Sequence, residues 1–198
     1  MKKKKTILSV ASVFLVAVVA IAIVGIATGN SMAGKITYRI SVSWEYNHES
    51  IEEISQNSDV IALIRVISES DSYQIRSVPL TEFEVEVITP IYGADPGEHL
   101  TIVMTGGITA SGSFVELDDD PLLRPNEEFL IFARQNDDGT LTMLSGPQGR
   151  LVHEEGRLSS ITPDNSMARE ANQHLNIQIE NASFEDIVNE IQNAVATN

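Results

Sequence analysis

The residues best spaced for chemistry lie in one acidic stretch. Glu116-Leu117-Asp118-Asp119-Asp120-Pro121 runs on towards Glu127, and counted from Glu116 the acids Glu116, Asp118, Asp120 and Glu127 stand at positions 1, 3, 5 and 12. A calcium loop presents its oxygen ligands at this spacing, the last from a glutamate that binds through both oxygens. These four residues are the candidate metal ligands, and calcium is the candidate cofactor. Against this, position 6 is Pro121 where the sharp bend needs glycine, position 9 is Arg124, and neither flank has a helical pattern. A solvated acidic loop explains the same residues without a metal.

Other groups propose less. His48, His99, His153 and His174 are far apart and form no close-spaced pair of the kind zinc sites use. The chain has no cysteine, which removes disulfides, thiolate catalysis and thiolate metal sites together. Ser145-Gly146-Pro147-Gln148-Gly149 places a serine before a turn but lacks the Gly-x-Ser-x-Gly frame of a strained nucleophile. The loop 106–113 is rich in glycine and serine, without the lysine of a phosphate cradle. Glu82, Glu84 and Glu86 share one face of a strand, which reads as a metal comb or as a face turned to water. No spacing proposes an active site, so an enzymatic function is not indicated.

Positioning these groups requires strands. Ile36, Tyr38, Ile40, Val42 and Trp44 alternate with polar residues, which predicts a strand with Trp44 in or at the rim of the core. Residues 60–67 have the continuous apolar, β-branched character of a central strand, and 81–88 alternates with Phe83, Val85 and Val87 on its inner face. Further strands are expected at 100–104 and 114–115, with 68–79 a loop or the ragged ends of two strands. The stretch 125–151 organises the rest: an apolar run at 129–133, a reversal at 136–139, a return strand at 140–144 and a break at 146–149. A last hairpin flanks Glu154-Glu155-Gly156. Ser50 and Glu53 match a capping box for a short helix, and after a polar linker at 162–182 an amphipathic helix over 183–196 carries Phe184, Ile187, Val188, Ile191 and Val195 on one stripe.

At the N-terminus four lysines precede an apolar run at 7–27. At about 1.5 Å per residue such a helix crosses the roughly 30 Å hydrocarbon core. Residues 1–28 therefore read as a basic head and single-pass signal-anchor, with the lipid bilayer a partner through 7–27 and a stalk at 29–35. The lysines place the N-terminus in the cytoplasm and the following domain in an extracytoplasmic position at the cell membrane. The alternative is a signal peptide cleaved near Ala27 or Ala33, giving a secreted protein. Without the head, nine basic residues face 28 acidic ones, a formal charge of −19. Such a surface repels nucleic acid and anionic headgroups.

In chain order, Ser58-Asp59-Val60-Ile61, Pro90-Ile91-Tyr92-Gly93, Pro125-Asn126-Glu127-Glu128-Phe129-Leu130-Ile131-Phe132 and Gly146-Pro147-Gln148-Gly149 resemble a group of uncharacterised bacterial extracytoplasmic domains, over residues 50–161. Asn126 stands where those relatives carry glycine, and asparagine tolerates the left-handed conformation. The resemblance implies a small barrel similar to an OB fold and a place outside the membrane. It carries no activity and no catalytic residues. The expected fold is mainly β, a small antiparallel, partly open OB-like barrel over 36–161 with two accessory helices, preceded by one transmembrane helix. The expected function is a membrane-anchored, non-enzymatic binding or envelope-associated protein whose ligand is a protein, a peptide or a cell-wall component. The alternative is an acidic, calcium-binding or hydrolytic surface protein.

Overall fold

A strand that is apolar on both faces is stable only where both faces are covered, and the run beginning at Val60 is placed accordingly. In a computed structural model, which describes residues 37–40, 47–161, 173–180 and 182–197, it forms strand β2 (Val60–Ile75). The other strands are β1 (Thr37–Ile40), β3 (Val78–Tyr92), β4 (His99–Thr105), β5 (Gly107–Ile108), β6 (Phe114–Leu117), β7 (Glu128–Gln135), β8 (Leu141–Met143), β9 (Arg150–Glu154) and β10 (Arg157–Ser160). A seven-stranded sheet has the order β10-β9-β7-β2-β3-β4-β8, and a three-stranded sheet the order β1-β6-β5. Three α-helices, α1 (Ile51–Gln56), α2 (Gln173–Glu180) and α3 (Phe184–Ala196), and a 3-10 turn at Gly146–Gly149 complete the described elements.

The large sheet separates two apolar clusters. Val60, Ala62 and Ile64 of β2 meet Phe83, Val85 and Val87 of β3 on one face. On the other face Ile61, Leu130, Phe132 and Leu151 lie against Ile54 of α1, Ile179 of α2 and Ile187 and Ile191 of α3. Burial of one such isoleucine contributes about 1.5–3 kcal/mol, so the helices are held by packing rather than by propensity. Helix α3 begins with a full capping box, in which Ser183 Oγ accepts from the Asp186 N–H and the Asp186 carboxylate accepts from the Ser183 N–H. Helix α1 differs slightly from expectation. Ser50 Oγ accepts from the Glu53 N–H, but the Glu53 carboxylate accepts from the Glu49 N–H instead of that of Ser50.

Three expectations are corrected. The sheet is not closed into a barrel and is mixed rather than antiparallel. Strand β8 spans only Leu141–Met143 and pairs antiparallel with β7 at three positions, but it meets β4 at one parallel pair, Ile102 with Leu141, so no regular ladder joins it to β4. The OB-like barrel, and with it the resemblance to small extracytoplasmic barrel domains, is not supported. Of the two readings of 68–79, the loop is the one overturned and the strand ends hold, because β2 and β3 continue through it with register shifts as a hairpin that turns at Arg76 and Ser77, both at positive φ. Among the described residues no helix is long and apolar enough to cross a membrane. The expected anchor at 7–27, the stalk and Trp44 lie outside the described residues. The single-pass topology, the bilayer as partner and the membrane localisation are therefore left without structural support.

Candidate functional site

The acidic loop after β6 is tied down by the protein itself. Asp120 is buried and its Oδ1 accepts from Nη2 of Arg150 at 2.8 Å, while the same nitrogen also donates to the Pro121 carbonyl. Arg150 is 1% exposed, and its guanidinium lies 5.3 Å from the centre of the Phe129 ring. Burial pushes the Asp120 carboxyl up and the Arg150 guanidinium down, and the attraction between the two opposes both shifts. Glu116 and Glu127 add to the negative field at Arg150. Their carboxylates also serve the loop's own backbone, Glu116 accepting from the Leu122 N–H at 3.3 Å and Glu127 from the Arg124 N–H at 2.9 Å. Asp118, half-buried, follows β6 in the same loop.

Of the proposed ligands, Glu116, Asp120 and Glu127 thus converge electrostatically on one cation, and the cation is an arginine. Among the described residues no group of three or more histidine, aspartate or glutamate side chains is placed to hold a metal ion. The calcium reading is corrected on that ground. With it goes the metal-dependent alternative function, and the membrane-anchored function is left without support, because among the described residues no helix is long and apolar enough to cross a membrane.

A second polar arrangement crosses the large sheet on the face that carries the helices, beyond the part they cover. Its residues are direct cross-strand neighbours. His153 of β9 bonds Glu128 of β7 at 3.0 Å, and Glu128 bonds Arg65 of β2 at 2.8 Å. Arg65 stands opposite Glu86 of β3, and Glu86 stands opposite His99 of β4. His99 bonds back to Glu84 at 2.7 Å. The hydrogen bond from Arg65 holds the Glu128 carboxyl below its ordinary range, with His153 adding to the effect. Acidic and basic residue types alternate along the row, and the Arg65 guanidinium stands between the carboxylates of Glu128 and Glu86.

At one end the row reaches α3. The His153 ring lies 5.4 Å from the ring of Phe184, tilted by 57°. Phe184 also lines a recess of about 220 Å³ with Thr89, Glu185, Val188 and Asn189. Down the same face Glu84 is followed by Glu82, which stands opposite Asp71 of β2. The comb of Glu82, Glu84 and Glu86 therefore faces water in part, and in part belongs to an ionic row that runs at right angles to it.

The sequence brought out the comb but not the row. Its members come from five strands, and only strand order and register bring them together. His99 and His153, far apart in the chain, take equivalent places in it, while the side chain of His174 lies outside the described residues. No known family model matches the chain. No curated protein matches it either.

Proposed function

We propose that the chain recognises a cationic peptide segment across the uncovered half of its large sheet. The observation that carries this reading is the row from His153 through Glu128, Arg65 and Glu86 to His99, which presents carboxylates in fixed register on an open face. Five carboxylates on that face, Asp71, Glu82, Glu84, Glu86 and Glu128, stand against the single guanidinium of Arg65, leaving four formal negative charges when the histidines are neutral. The net charge of −15 adds a long-range field of the same sign. The recess beside Phe184 suits the apolar stem of a lysine or arginine whose charged head reaches the carboxylates.

Titration calorimetry of the full chain with tetralysine, against tetraglutamate as control, tests the reading. Each exposed ion pair contributes about 0.2–1 kcal/mol, so the double substitution Glu84→Gln and Glu86→Gln weakens tetralysine binding by about 2- to 30-fold. Added salt weakens it further. Equal affinity of wild type and variant, or no preference for tetralysine, ends the proposal.

A further inference from the structure

Ser145 joins β8 to a short 3-10 turn, Gly146–Gly149, and its backbone is left-handed at φ 51° and ψ 33°. For a residue with a side chain this conformation costs on the order of 1 kcal/mol, and it persists only where the surroundings impose it. Here the surroundings include a histidine. Ser145 Oγ lies 3.2 Å from Nδ1 of His48, whose side chain is buried. His48 is itself fixed by Gln148, which accepts from the His48 N–H at 2.9 Å and donates to the His48 carbonyl at 3.3 Å. The turn that strains the serine therefore also clamps the base beside it, across 97 residues of sequence. Burial lowers the His48 pKa, with Glu53 opposing the shift and Arg134 adding to it, so the imidazole is neutral at pH 7 and Nδ1 is able to take a proton.

We propose that Ser145 is a nucleophile activated by His48, which accepts an acyl group from an activated ester. As Oγ bonds to the acyl carbon, its proton passes to Nδ1. The bond from that carbon to the leaving oxygen then breaks, and the leaving group departs as an alkoxide or phenolate that takes the proton from the imidazolium or from solvent. The product is an O-acylserine, formed once per chain. No redox partner or metal takes part, and the site is distinct from the ionic row.

The probe is p-nitrophenyl acetate with the full-length chain, read as nitrophenolate release and as the acetylated position by peptide mass spectrometry. The expected result is one acetyl group on Ser145. The rate should hold as pH falls to the ordinary histidine range near 6.5 and decline only below it. His48→Gln leaves both Gln148 bonds in place, since these go to the main chain, and it slows acetylation by about 100-fold or more. Ser145→Gly suits the left-handed backbone and abolishes acetylation, with its urea midpoint confirming that it folds. Acetyl spread over lysines at the same rate, or a His48→Gln variant acetylated as fast as wild type, overturns the assignment.

Discussion

Removing the Asp120 carboxylate leaves the Arg150 guanidinium 1% exposed with no carboxylate bonded to it. The Pro121 carbonyl and the Phe129 ring remain in contact, neither of them charged, and Glu116 and Glu127 act on the guanidinium through space as weaker contributions than the lost pair. Breaking one side of a buried ion pair costs about 3–5 kcal/mol, a large share of the roughly 5–15 kcal/mol by which a domain is stable. With a urea slope of about 2 kcal/mol per molar, Asp120→Ala lowers the unfolding midpoint by about 2 M. The converse variant, Arg150→Met, should behave differently because a carboxyl is able to neutralise itself. Without its arginine the Asp120 carboxyl is held by burial well above its unfolded value of 3.8. The folded variant then binds the proton that the unfolded chain releases, so its stability relative to wild type rises as pH falls from 7 towards 4. Urea unfolding of both variants at pH 7 and pH 5 is the assay. A loss below about 1 kcal/mol for Asp120→Ala, or an Arg150→Met deficit that does not shrink at pH 5, refutes the view that this pair closes the acidic loop.

Two further perturbations follow from the structure. His48 is buried with its pKa lowered, so the unfolded chain takes up a proton near pH 6.5 while the folded chain resists until a lower pH. The associated stability is complete above 6.5 and is lost as pH falls through the folded value, and His48→Gln should flatten that part of a plot of urea midpoint against pH. At the tip of the β2–β3 hairpin Arg76 and Ser77 have φ of 50° and 74°, the left-handed pair that asparagine and glycine adopt most readily. Arg76→Asn with Ser77→Gly should stabilise the chain by about 1–2 kcal/mol, seen as a higher midpoint in thermal unfolding.

The strands were legible where one face is buried and the other wet. Phe83, Val85 and Val87 alternate with Glu82, Glu84 and Glu86, and β3 places them on opposite faces. The distal hairpin at 68–80 was hard to read because β2 is largely exposed from Ser68 onward, and a strand wet on both faces leaves no apolar period. Helix α2 was missed for a related reason, since among its described side chains only Leu175 and Ile179 are buried. The acidic loop drew attention through its spacing, but its cation comes from Arg150, 30 residues beyond Asp120, where no local pattern points back to the loop. The pairing of Ser145 with His48 spans 97 residues and was equally hidden.

The doubly covered start of β2 also bears on how the sheet finds its alignment. Val60 through Ile64 are all buried, so sliding this segment by one position against β7 exchanges one greasy side chain for another and meets little opposition. Arg65 ends that indifference. The same slip would turn its guanidinium inward towards Val85 and Phe129 and part it from Glu128, while Val66 would swing out into water. One charged residue at the edge of an apolar tract thus acts as the stop against which the central strand is set.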